Sequence, residues 1–136
     1  MKPVRVLLAE DYDDIADAIA ELLKPSVELV ATVSSGQSLI AAAERLQPDI
    51  LVVDISLPDM SGIEAVDIIR QTGNAARAVF LTIHSDSDFI RAAFAAGALG
   101  YVIKSQMLTD LNRAIYDALE GRVFVSAPSA KAHGRA

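Results

Sequence analysis

Short apolar runs alternate with amphipathic stretches along all 136 residues. The runs fall at 4–9, 27–33, 50–53, 78–83 and 99–103 and are mostly rich in Val, Ile and Leu. Four of them lack period-two alternation, as strands covered on both faces do. The second, "VELVATV", alternates in part, which predicts an edge position. Between the runs, apolar residues recur at helical spacing. Ile15, Ile19, Leu22 and Leu23 form one stripe closed by Pro25, and Leu39, Ile40, Ala43 and Leu46 form a second closed by Pro48. Ser61 and Glu64 fit a capping box, and Ser85 and Asp88 fit another before Phe89, Ile90, Ala93 and Phe94, with Gly97 as terminator. Leu108, Leu111, Ile115 and Leu119 make the last stripe, stopped by Gly121.

Five β–α units in sequence predict an α/β fold. Parallel strands need helical crossovers, and right-handed crossovers place helices on both faces of the sheet. The expectation is a doubly wound, five-stranded parallel sheet, since the chain is too short for an eightfold barrel. One domain is expected over 1–125. From Ser126 onward "SAPSAKAHGRA" has little to bury and reads as a flexible tail or the start of a linker.

Composition narrows the class. Hydrophobic residues at 52% and charged residues at 22% fit a compact globule with a sizeable core. No apolar run approaches the roughly 18 residues of a membrane span, and the N-terminal run is short and ends in acids, unlike a signal peptide. The absence of cysteine excludes disulfides and thiolate metal sites and suits a reducing compartment, so the expected location is cytoplasmic. A net charge of −6 with no Lys/Arg cluster argues against direct nucleic-acid binding by this chain.

In open α/β sheets ligands bind beyond the carboxyl ends of the strands. The first predicted strand ends in Glu10-Asp11, the third in Asp54, the fourth in Thr82, and the fifth runs into Lys104. If the first and third strands are neighbours, three carboxylates converge, with Thr82 and Lys104 beside them. Carboxylates held together repel unless a positive charge sits among them. A hard cation such as Mg²⁺, which takes oxygen ligands and commonly a phosphate, answers that repulsion. Asp54 is then a candidate nucleophile, because carboxylates form acyl phosphates. Asp13 and Asp14 read instead as acids that start and cap the following helix.

Four segments, "VLLAED", "DILVVDISLPDMSGIE", "VFLTIHSD" and "AAGALGYVIKS", occur in this order. Together they resemble a response-regulator receiver domain of two-component signalling, over about residues 3 to 121. The resemblance implies a flavodoxin-like strand order of 2-1-3-4-5. It implies that Asp54 is the phosphoacceptor, and that Asp11 and Asp54 bind Mg²⁺ (or Mn²⁺) directly. Glu10 would act through a metal-bound water, and the Ser56 backbone carbonyl would complete the protein ligands. Lys104 would pair with Asp54 and then with phosphoryl oxygens, Thr82 would be the switch hydroxyl, and Tyr101 the switch aromatic, turning inward when the Thr82 loop moves.

The implied partners are a sensor histidine kinase or phosphotransfer protein, and a second copy through the face of the fourth helix, fifth strand and fifth helix or through the first and fifth helices. "AIYDALEGRVFVSAPSA" resembles the end of receivers joined to a LuxR/NarL-type helix-turn-helix domain. The chain is thus expected to be a stand-alone receiver or a fragment of a transcription regulator. DNA binding would belong to such a further domain, and no membrane is involved.

Three features stand apart from the common pattern. Ile83 stands after the switch Thr, where receivers often have a small residue that leaves access to Asp54 open. Ser56 and His84 hold the family's variable positions. Ser105 follows Lys104 where many receivers carry a cis proline; a cis bond without proline costs about 2.5–4 kcal/mol, so the expectation is a trans or strained loop. The competing readings are a phosphorylation-independent receiver that only binds proteins, and an aspartate-nucleophile phosphatase of the haloacid dehalogenase type. The phosphatase would require a second acid where Ser56 stands.

Overall fold

The computed structural model describes residues 2–127. The elements are β1 Arg5–Ala9, α1 Asp13–Leu23, β2 Glu28–Val33, α2 Gly36–Leu46, β3 Ile50–Asp54, α3 Gly62–Gln71, β4 Arg77–Thr82, α4 Ser87–Ala95, β5 Gly100–Ile103, a 3-10 turn Lys104–Gln106, α5 Met107–Leu119 and β6 Phe124–Val125. All strand pairs are parallel, in the order β2-β1-β3-β4-β5-β6. The expected 2-1-3-4-5 sheet is there, with β2 at one edge. The count of five strands is corrected to six: Phe124–Val125 adds two residues beside Gly100 and Tyr101, too short a run to stand out from the sequence.

The central strands lack alternation because both of their faces are covered. Leu7, Ala9, Leu51, Val53, Ala78, Phe80 and Tyr101 pack with residues of α2, α3 and α4. Val6, Leu8, Ile50, Val52, Val79, Leu81 and Val102 pack with residues of α1 and α5. Successive strand side chains point to opposite faces, so the middle positions of each central strand are apolar on both faces, with polar residues only at the strand ends.

Helix ends follow the sequence in part. Gly97 and Gly121 take positive φ after α4 and α5. Ser61 caps α3 by accepting from the Ile63 N–H at 3.1 Å, without the reciprocal bond from Glu64 that a capping box requires. At α4 the residue before the helix is Asp86, with no side-chain cap, so the box expected from Ser85 does not form. A capping box does close α2, between Ser35 and Ser38, where Ser replaces the Glu or Gln that usually marks the motif. Asp13 and Asp14 lie in the first turn of α1, after Tyr12, which makes no side-chain cap. Their role there is to complement the helix dipole.

Ser126, expected at the head of the tail, is instead buried. The rest of the expected tail, 128–136, lies outside the described residues.

Candidate functional site

Parallel register brings the candidate residues together. Ala9 lies beside Val53, Asp54 beside Leu81, and Thr82 beside Ile103. Whatever follows each of these positions therefore emerges at the same edge of the sheet. Glu10, Asp54 and Thr82 are buried there. Carboxylate oxygens of Glu10, Asp11 and Asp54 lie within 4.8 Å of one another. Lys104 reaches in from the start of the 3-10 turn, with Nζ 2.9 Å from Glu10 Oε1 and 3.1 Å from Asp54 Oδ2.

Local backbone fixes each acid. Asp54 Oδ1 accepts from the Ser56 N–H at 3.0 Å, and Glu10 Oε2 accepts from the Tyr12 N–H at 3.2 Å. The loop after Asp54 is drawn tight by a bridge between Ser56 and Ser61 and by the Gly62 N–H on the Ile55 carbonyl at 2.7 Å. At Gly62 a Cβ would sit 2.3 Å from the Asp54 carbonyl oxygen. Only glycine permits that approach, so Gly62 helps to set the Asp54 backbone. The same loop is tied to α2 by Asp59, whose carboxylate accepts from the Gly36 and Gln37 N–H groups at 2.7 and 3.0 Å. Those bonds hold the Asp59 carboxyl below its ordinary value.

Charge is only partly balanced at this edge. Burial pushes the Glu10 carboxyl up, and the nearby Asp54 adds to the rise against the opposing Lys104 ammonium. Burial alone would lower the Lys104 ammonium, but its two carboxylate neighbours outweigh that and raise it. Glu10 Oε1 faces only the Lys104 ammonium, and Asp11 Oδ1 is buried without a hydrogen-bond partner. Buried oxygens normally have one. Converging carboxylate oxygens with unused lone pairs form a donor set of the hard kind that Mg²⁺ or Mn²⁺ takes, so these residues fit such a cation.

The switch candidates form a second small network. Thr82 Oγ1 accepts from the His84 N–H at 3.0 Å. The His84 ring stacks on Phe89 of α4, with centroids 4.3 Å apart. Tyr101 is fully buried, and its hydroxyl donates to the His84 carbonyl at 2.8 Å. Burial raises the Tyr101 phenol. The aromatic expected to turn inward is thus already inside, because the His84 carbonyl satisfies its hydroxyl there. Ile83 is 73% exposed, turned largely to solvent. The described residues contain no cis peptide bond, so Lys104–Ser105 is trans.

The features define a class: a doubly wound parallel domain with an acidic, lysine-braced cluster at the carboxyl ends of its strands. Within that class the chain belongs to the response regulator receiver domain family, whose model matches residues 6–116. It is 35% identical over 131 residues to the transcriptional regulatory protein PdtaR of Mycobacterium tuberculosis, covering 89% of this chain and 63% of that protein. It is 28% identical over 127 residues to the nitrate/nitrite response regulator protein NarL of Escherichia coli, covering 92% of this chain and 59% of that protein. The crystal structure of a two-component response regulator of the LuxR family from Aurantimonas sp. SI85-9A1 superposes with a TM-score of 0.88 at 35% identity, over 98% of this chain and 99% of that one.

The chain spans 59% of NarL and 54% of the transcriptional regulatory protein LnrK of Bacillus subtilis. It is a receiver of the NarL/LuxR type, a phosphoaccepting module of two-component signalling.

Proposed function

We propose that Asp54 is the phosphoacceptor, taking a phosphoryl group from a histidine of a sensor kinase or phosphotransfer protein. The observation that carries this reading is the position of Asp54. One carboxylate oxygen is held by the Ser56 N–H and the other faces Lys104, beside the converging Glu10 and Asp11. In the transfer an Asp54 oxygen attacks phosphorus, the bond from phosphorus to the donor's imidazole nitrogen breaks, and the imidazole leaves with that electron pair. Such transfers depend on positioning and charge neutralisation more than on further covalent chemistry. Glu10, Asp11, Asp54 and the Ser56 carbonyl would hold Mg²⁺ or Mn²⁺, which supplies positive charge against the phosphoryl oxygens. Lys104 supplies a second positive charge at an atom already within reach of Asp54.

The new group carries charge near −2 and strong acceptor oxygens. Thr82 would exchange the His84 N–H for a phosphoryl oxygen, donating its own proton. That frees the His84 backbone, and with it the Tyr101 and Phe89 contacts. The α4-β5-α5 face would change as a result, biasing association with a second copy there or through α1 and α5. The chain would act in the cytoplasm as a signalling switch rather than a multiple-turnover enzyme. Regulation of transcription would run through a DNA-binding domain in the same polypeptide or in a partner.

Labelling with acetyl phosphate and Mg²⁺ tests the assignment. Asp54→Asn should abolish it, and unchanged labelling on another residue would contradict it.

A further inference from the structure

Beyond the last strand pair, Ser126 is 3% exposed and makes three hydrogen bonds. Its N–H donates to the Tyr101 carbonyl at 2.9 Å. Its hydroxyl accepts from the Ile103 N–H at 3.1 Å and donates to Asp110 Oδ2 of α5 at 2.7 Å. The β6 ladder covers only Gly100 and Tyr101 of β5. The Ser126 side chain therefore continues the ladder at the point where the backbone of β6 has ended. It secures the last residue of β5, and the next residue is Lys104.

This placement bears on the Lys104 side chain. Its ammonium must reach two acids at 2.9 and 3.1 Å from a backbone that has just left the sheet and entered a 3-10 turn. The peptide bond after it is trans and carries no proline ring to stiffen the turn. The Asp110 carboxylate keeps the Ser126 hydroxyl oriented, so that its lone pair faces the Ile103 N–H. An alanine at 126 would leave a backbone donor and a carboxylate oxygen without their partner, and buried groups in that condition shift to find another.

We propose that Ser126 is a positioning residue for Lys104: through the Ile103 N–H and Asp110 it fixes the end of β5, and so the reach of the ammonium to Asp54. The inference rests on the reading of Asp54 as phosphoacceptor and Lys104 as its cation. It also means that a displacement of the backbone at Ser126 is transmitted to the phosphoacceptor site.

The test is the rate of labelling by saturating acetyl phosphate with Mg²⁺ in the full chain. The variants are Ser126→Ala, Ser126→Thr, Lys104→Ala and the double variant Ser126→Ala/Lys104→Ala. Loss of one neutral hydrogen bond corresponds to about fivefold in rate. Ser126→Ala should slow labelling by that factor, Ser126→Thr should restore it, and the effect should vanish in the Lys104→Ala background. A general loosening of the fold would instead slow both backgrounds equally. That result, or equal rates for the wild type and Ser126→Ala, overturns the proposal. Wild type that fails to label at Asp54, or labelling indifferent to Lys104→Ala, would overturn the underlying reading and this one with it. A thermal melt confirms that each variant is folded. If Ser126→Ala does not fold, Asp110→Ala, which removes the acceptor that orients the hydroxyl, is held to the same outcomes.

Discussion

The two ends of the sheet handle polar groups in opposite ways. At the end where the strands begin, partners are matched. Asp49 accepts from the Arg5 N–H at 2.9 Å, Arg5 donates to the Gln47 carbonyl at 2.9 Å, and the Arg77 guanidinium donates to the last carbonyls of α5. Asn74 joins the Ala43 carbonyl to the Ala76 N–H. At the end where the strands finish, three acids converge on one another while a single ammonium pairs with two of them, Glu10 and Asp54, and the buried Asp11 Oδ1 has no hydrogen bond. One end satisfies its polar groups within the fold; the other leaves lone pairs for a ligand from outside. Under the proposed function, stability is given up where binding is needed, a common trade in functional sites.

The contrast can be broken most severely at Gly62. Gly62→Ala drives a Cβ against the Asp54 backbone, and overpacking of this kind costs about 1–3 kcal/mol. A urea melt should show that loss together with slowed labelling. Next in size is Glu10→Gln, which should stabilise the metal-free protein at neutral pH by about 1 kcal/mol while weakening divalent-cation binding. The sign follows from the raised carboxyl. Between its ordinary value of 4.5 and its higher value in the fold, the native state keeps a proton that the unfolded chain has released. Stability therefore falls as pH rises through that window, and ionised Glu10 is a cost above it.

Arg77→Ala should do the reverse of Glu10→Gln. It removes donors from the end of α5 and should destabilise by about 1 kcal/mol, with the labelling rate unchanged. Equal loss of labelling from this substitution would erase the distinction between the two ends.

The smallest effect is expected from Asp59, whose lowered carboxyl contributes stability that is full above its ordinary value of 3.8 and is lost as pH falls through its depressed value. The difference in melting temperature between the wild type and Asp59→Asn should accordingly shrink in acid below about pH 4.

The same contrast explains what could be read from the sequence. Glu10, Asp54, Thr82 and Lys104 were legible because each stands at the carboxyl end of an apolar run, and parallel register turns shared sequence position into shared space. The five long strands were legible for the same reason. Residues that hold the site from the side left weaker marks. Gly62 matters through a backbone approach to Asp54 that no local pattern encodes. Asp59 sits in a loop and caps a helix more than twenty residues earlier in the chain. Ser126 looks like tail in composition, yet tertiary bonds to β5 and α5 bury it. The inward Tyr101 depends on a carbonyl at His84, and side-chain type says nothing about backbone acceptors.

The central claim is that the carboxyl edge is built for a cation and a phosphoryl group at the expense of stability. Equilibrium urea unfolding of the wild type and of Asp11→Ala, each with and without Mg²⁺, tests it most directly. A ligand that binds only the native state raises stability with its concentration. The wild-type midpoint should climb as Mg²⁺ is added, and the Asp11→Ala midpoint should not. A wild-type midpoint indifferent to Mg²⁺, or an equal rise in both proteins, would contradict it.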